Sequence, residues 1–221
     1  MNQAVQQPAP PTILMDLSGD RAVEWSWVNA MIPSGPGTAL DFGPGKSQLG
    51  TVAAMKEFDV TGVDMTEIAR PFLLPNLHFI KGELLTLDLP DGYFDLVINC
   101  SSVEHSGLSG RYGVEDDDPD GDLKVMCKLR RLMKRNGVHL LTIPVGRDIV
   151  WRPLHRIYGE ERLPQLISGF RVRSSRFWIK DHYNRWVLTS QERALRQSTL
   201  PALYGLGCFE LQRDDATEVE A

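Results

Sequence analysis

Val138 to Val145 reads VHLLTIPV, and this run constrains the fold more than any other. It is too apolar to leave either face in water, so it predicts a strand covered on both sides. Shorter runs of similar character precede it, at Thr38 to Phe42, Val60 to Val63 ending in Asp64, Leu77 to Ile80, and Phe94 to Cys100. Helical patterns separate them. Asp20 opens one helix that runs through Ile32, with Ala22, Trp25, Val28 and Ile32 along one face. Another is expected from the glycine turn to about Lys56. A third runs from about Leu123 to Arg135, with Leu123, Met126, Leu129 and Met133 at core spacing and Asn136-Gly137 closing it. Strands alternating with helices predict an α/β fold with a mainly parallel sheet flanked by helices. Ligands of such sheets sit at the carboxyl ends of the strands.

A chain of 221 residues with 42% hydrophobic content fills one core, so a single domain is expected. Residues 1–12, rich in Gln and Pro, read as a disordered lead-in, 13–35 as an N-terminal helix or lid, 36–212 as the main domain and 213–221 as a polar tail. The net charge of −5 argues against nucleic acid as a partner. No apolar run reaches the ~18–20 residues of a membrane span, and the N-terminus lacks the pattern of a secretion signal. Cys100, Cys127 and Cys208 form no metal-like pair and leave one thiol over in any disulfide scheme, which fits a reducing, cytoplasmic setting.

The stretch Leu40 to Gly50, LDFGPGKSQLG, holds the first candidate site. A triphosphate loop needs glycine five residues before Gly45-Lys46, but that position is Leu40, inside the strand. A dinucleotide turn needs a third glycine where Gln48 stands, and no later motif suggests hydride chemistry. The third reading takes the acid at the strand end together with Gly43 and Gly45. Asp41 would serve a ligand cation directly or through water, while glycines let the backbone approach closely.

That arrangement resembles the first motif of class I S-adenosylmethionine (SAM)-dependent methyltransferases, and further motifs follow in order. KGELLTLDLPDGYFDLVINCSSVEH is similar to the family's segment from third strand to fourth helix, and RLMKRNG resembles the turn before its fifth strand, with Arg135 and Asn136 replacing Pro and Gly. The resemblance covers about residues 20 to 180 and implies a Rossmann-like, seven-stranded sheet binding SAM. On that resemblance Asp64 would hold the ribose hydroxyls, Glu83 the adenine amino group and the Leu84 amide the ring. Asn99 is a further cofactor-binding candidate, and Ser101 and Ser102 would line the methionine part, with turn hydrogen bonds as the equal alternative. GDRAVEWSWV, SSVEHSGLSGRYG, DPDGDLK and LLTIPVG together look like a bacterial small-molecule or sugar methyltransferase subgroup. Expected chemistry is methyl transfer to a small acceptor, foremost at a hydroxyl oxygen. Transfer to carbon or nitrogen, another reaction on the same fold, and a non-catalytic scaffold are the alternatives.

His105 follows the fourth strand, where the methyl group should point, and is the candidate general base. The bland alternative is that Glu104-His105 caps the next helix. Asp95 is read as tying down its strand. Arg111 and Tyr112, with Trp151 and His155 after the fifth strand, are candidate acceptor-pocket residues; anchoring of a long loop and aromatic packing explain them equally. Asp116, Asp118, Asp120 and Gly121 open like a calcium loop, but the closing Glu position is Cys127, so that motif fails. A magnesium ion shared with substrate oxygens stays open and is not favoured over a solvated helix entry. A homodimer is left open.

Overall fold

The computed structural model describes residues 20–68 and 74–214. The lead-in 1–12, the first part of the segment 13–35, and residues 215–221 of the expected tail lie outside the described residues.

The expected parallel strands form as β1 (Gly37–Phe42), β2 (Phe58–Asp64), β3 (Leu77–Lys81), β4 (Phe94–Cys100) and β5 (Met133–Val145). They lie side by side in the order β3-β2-β1-β4-β5, each parallel to its neighbour. Beyond β5 the sheet turns antiparallel, through β10 (Gly205–Arg213), β8 (Phe170–Lys180) and β9 (Trp186–Thr189). The sheet therefore has eight strands rather than the expected seven. The extra one, β9, is a four-residue edge strand whose central residues Val187 and Leu188 are exposed. β10 also extends the domain through Arg213, one residue past the expected boundary. A separate hairpin, β6 (Ile149–Trp151) with β7 (His155–Ile157), follows β5.

The central run behaves as its composition demands. Leu140 packs on one face with Ala39, Val60, Leu96 and Ile98 of the sheet, under α1 (Arg21–Met31) and α2 (Leu49–Met55). Leu141 and Ile143 pack on the other with Leu40 and Val97, under α3 (Gly121–Leu132). A short α4 (Arg162–Leu166) and α5 (Gln191–Arg196) complete that second layer.

Two helix readings are corrected. The buried face of α1 is Glu24 and Val28, followed by Ile32, while Ala22 is exposed. Helix α3 stops at Leu132 rather than near Arg135, because Met133 pairs with Phe94 and the chain has already joined the sheet; Asn136-Gly137 lies within β5. Asp95 ties β4 to its neighbour, accepting the Thr38 amide at 2.9 Å and Lys134 Nζ at 2.8 Å. Among the described residues no helix is long and apolar enough to cross a membrane.

Candidate functional site

A cavity of about 1110 Å³ opens at the carboxyl ends of β1, β2 and β4. Gly43 and Gly45 turn the chain there with φ of 63° and 53°, values that suit glycine because a side chain would crowd the backbone. The Gly43 amide donates to the Val63 carbonyl at 2.8 Å, holding the turn against β2. A β-carbon on Gly43 would sit 2.5 Å from Ser102 Oγ, which itself donates to the Gly43 carbonyl at 2.8 Å. The next turn amide, Gly45, donates to Asp64 Oδ2 at 3.0 Å. Asp64 Oδ1 accepts the Thr66 amide and hydroxyl at 2.8 and 2.7 Å. A carboxylate has about four acceptor sites, so Asp64 keeps capacity for a ligand hydroxyl. Ser47 also lines the cavity, and its buried hydroxyl has no partner among the described residues.

Of the residues expected to hold the cofactor, Gly43, Gly45, Asp64, Glu83, Leu84 and Ser101 share this cavity wall. Asp41 and Asn99 do not. Asp41 is 1% exposed and faces Gly50 of α2, where a β-carbon would meet its Oδ2 at 2.7 Å. Burial pushes its carboxyl up to about 7, against the pull of the Gly50 amide. Asn99 is buried and accepts the Val103 amide at 3.2 Å, shaping the turn after β4.

His105 and Ser101 form the wall beyond β4. Nδ1 of His105 lies 2.6 Å from the Leu154 carbonyl, which can only accept, so Nδ1 carries the proton and Nε2 the lone pair. Burial holds the ring's pKa down to about 4, outweighing the Leu154 bond. Glu104 Oε1 is 3.8 Å from Nε2; burial pushes the Glu104 carboxyl well up as it holds the ring down, so it disfavours the charged form of each partner. Arg111 and Tyr112 line the same cavity, with the Tyr112 ring centroid 5.4 Å from His105. Trp151 and His155 lie outside the cavity wall, although His155 packs edge-on to His105 at 6.2 Å.

The loop carrying Arg111 is pinned rather than free. Gly110, Tyr112 and Gly113 all take positive φ, and the tight turn closes through Gly110 N to Val114 O at 3.0 Å. Arg156 of β7 donates to the carbonyls of Ser106 at 2.5 Å and Asp118 at 2.9 Å. Asp122 of α3 receives Arg162 at 2.5 Å and the Tyr158 hydroxyl at 3.2 Å, with Arg156 Nε at 3.7 Å. The acidic run serves this clamp: Asp117 pairs with Arg152, Asp118 with Lys124 and Asp120 with Arg162.

Glu24 escaped the sequence reading. Fully buried, it accepts from Ser101 Oγ at 2.5 Å and Thr142 Oγ1 at 3.1 Å, joining α1 to the ends of β4 and β5. Burial, with Asp20 beside it, pushes its carboxyl up to about 7. Ser101, its partner, is a non-glycine residue at φ 49°, a conformation that costs energy and recurs at functional sites. The available signal was an acid four residues before Val28, on the face that α1 buries.

This is the fold of the SAM-dependent methyltransferases. A SAM-dependent methyltransferase from Archaeoglobus fulgidus superposes with TM-score 0.60 at 15% identity, covering 89% of this chain and 96% of that one. The 1,6-didemethyltoxoflavin-N1-methyltransferase of Burkholderia thailandensis, solved with its acceptor and S-adenosylhomocysteine, gives 0.59 at 15% identity, covering 87% and 77%. The [4+2]-cyclase SpnF gives 0.60 at 16% identity, covering 86% and 80%, so the fold alone does not fix a reaction. Residues 81–201, more than half of the chain, match the family described as Caenorhabditis protein of unknown function, DUF268, and the chain belongs to that family. No curated protein matches it.

Proposed function

We propose that the protein transfers a methyl group from SAM to a hydroxyl oxygen of a small molecule. The observation that carries this reading is convergence: Gly43 and Gly45 after β1, Asp64 at the end of β2, Glu83 after β3, and Ser101 and His105 after β4 line one cavity. The residues suit the cofactor, because a β-carbon on Gly45 would meet no described atom within 4 Å, leaving the turn's backbone open to a ligand, and the Ser47 hydroxyl has no partner among the described residues. When bound, SAM supplies a methyl carbon already activated by its sulfonium. The chain's work is then alignment, which can supply ~7–11 kcal/mol of a barrier.

Asp64 would take the ribose hydroxyls and Glu83 the adenine amino group, with Leu84 against the ring. Asp41, set behind the turn, would act through α2 rather than by direct contact. His105 Nε2 is the unprotonated nitrogen that would accept the acceptor's proton, its ring fixed by the Leu154 carbonyl. A general base of this kind contributes ~10²–10⁴-fold.

Calorimetric titration with SAM, S-adenosylhomocysteine, NAD and ATP tests the reading. Selective binding of the first two is expected. Binding of NAD or ATP instead, or of none, overturns it, and the last result favours a scaffold. With an acceptor in hand, His105→Ala should lower turnover by roughly two orders of magnitude while SAM affinity holds. Unchanged turnover would remove His105 from the chemistry.

A further inference from the structure

The wall around His105 carries hydrogen-bonding groups that the methyl-transfer reading has not used. Arg21 and Trp25 of α1 line it, as do Arg111 and Tyr112 of the pinned loop. Each guanidinium lies over its neighbour's ring, Arg21 at 5.4 Å from the Trp25 centroid and Arg111 at 4.6 Å from that of Tyr112. A stacked guanidinium keeps its N–H edge free for an incoming oxyanion.

The hydrogen-bond inventory is one-sided. Arg111 donates to the Leu154 carbonyl at 3.3 Å and, among the described residues, pairs with no carboxylate. The buried Trp25 indole N–H has no partner among the described residues. Arg21 approaches Glu24 at 3.6 Å, yet its side chain is 62% exposed and, among the described residues, it has no other carboxylate partner. Arginine and tryptophan offer donors only, so their complement is a group rich in acceptors. Two acids line the cavity from the same loop. Asp118 is neutralised by Lys124 at 2.5 Å, whereas Asp116 is exposed and opposes an anion.

We propose that the methyl acceptor is an anion, a hydroxylated carboxylate or phosphate ester, with its oxyanion on Arg111 and Arg21 and its hydroxyl at His105 Nε2. The proposal rests on the methyl-transfer reading and names its substrate class. The arrangement also suits the base. After burial, which dominates, the Arg111 and Arg21 charges help to hold His105 in its neutral form. An anion between them offsets both charges and raises the ring's basicity as the acceptor arrives.

The test uses the full chain saturated with S-adenosylhomocysteine and two matched probe pairs, salicylate against salicylamide and glycerol phosphate against glycerol. At least one anion should bind more tightly than its neutral partner, and the better pair separates carboxylate from phosphate. Arg111→Gln should weaken the anion by roughly ten- to hundredfold, and Arg21→Gln by less. Asp116→Asn should strengthen it. Both arginines are exposed, and unchanged S-adenosylhomocysteine affinity in the variants reports an intact fold. Equal binding within both pairs, no binding by either anion, or a preference surviving Arg111→Gln overturns the proposal. Failure of the unmodified protein to bind S-adenosylhomocysteine instead overturns the methyl-transfer reading beneath it.

Discussion

The two sides of the cavity are built by different means. On the glycine-turn side the backbone does most of the positioning: Gly43 and Gly45 bend the chain, and a turn amide meets Asp64 only 19 residues away. On the His105 side, side chains hold the loops across long sequence separations. Arg156 reaches the Ser106 carbonyl 50 residues away, and Glu24 receives Thr142 across 118. A site made from backbone turns tolerates varied neighbours. One made from buried charges depends on each partner, because an unpaired buried ion is costly.

Asp122→Ala should produce the largest effect. It would leave Arg156, 3% exposed, and the Tyr158 hydroxyl, fully buried, without their carboxylate. Removing one partner of a buried pair costs about 3–5 kcal/mol. Urea unfolding should show that loss, and limited proteolysis should show faster cleavage within 106–120. S-adenosylhomocysteine affinity, measured where the variant is still folded, should change little. A loss below about 1 kcal/mol, or equal damage to cofactor binding, would erase the contrast between the two sides.

Glu24→Gln should act next, and only in a defined pH window. The Glu24 carboxyl is raised from 4.5 to about 7, so between those values the folded chain keeps a proton that the unfolded chain releases. Its stabilising contribution is complete below about pH 4.5 and is lost as pH rises through about 7. Glutamine cannot ionise and escapes that loss. Relative to the variant, the wild-type chain should lose roughly 2–3 kcal/mol between about pH 5 and about pH 8. Asp41, also raised, and His105 and His139, held down by burial, titrate in both proteins and drop out of the difference. Parallel stability curves would show that Glu24 is not the titrating link between α1 and the strand ends.

The same contrast explains what could be read from the sequence. Strand runs such as VHLLTIPV and the glycine turn are local signals, and β1, β2, β4 and β5 form where those signals stand. The antiparallel strands were harder to see, because β8 reads FRVRSSRFWIK and exposes Arg171, Val172 and Arg173 in succession. Site residues divide likewise. Asp64 and Gly43 were legible from position alone, whereas the Arg156–Asp122 clamp depends on how β7 and α3 meet in space. Glu24 was hidden for a further reason: a charged residue normally marks the exposed side of a helix, and here it marks the buried one.

The smallest expected effect separates two contributions within the glycine turn. Gly43→Ala and Gly45→Ala both place a side chain at positive φ, which costs roughly 1–2 kcal/mol. Beyond that shared cost the two positions differ. A β-carbon at Gly43 strikes Ser102 Oγ at 2.5 Å, but at Gly45 it meets nothing within 4 Å among the described residues. Ser102 can relieve the contact only by giving up its bond to the Gly43 carbonyl, which would move the turn against the strand end. Gly43→Ala should therefore lower S-adenosylhomocysteine affinity roughly ten- to hundredfold, and Gly45→Ala distinctly less, with thermal unfolding reporting a similar order. Equal losses would mean that left-handed geometry alone sets the turn. A larger loss at Gly45 would mean that its amide, joined to Asp64, matters more than the close approach at Gly43.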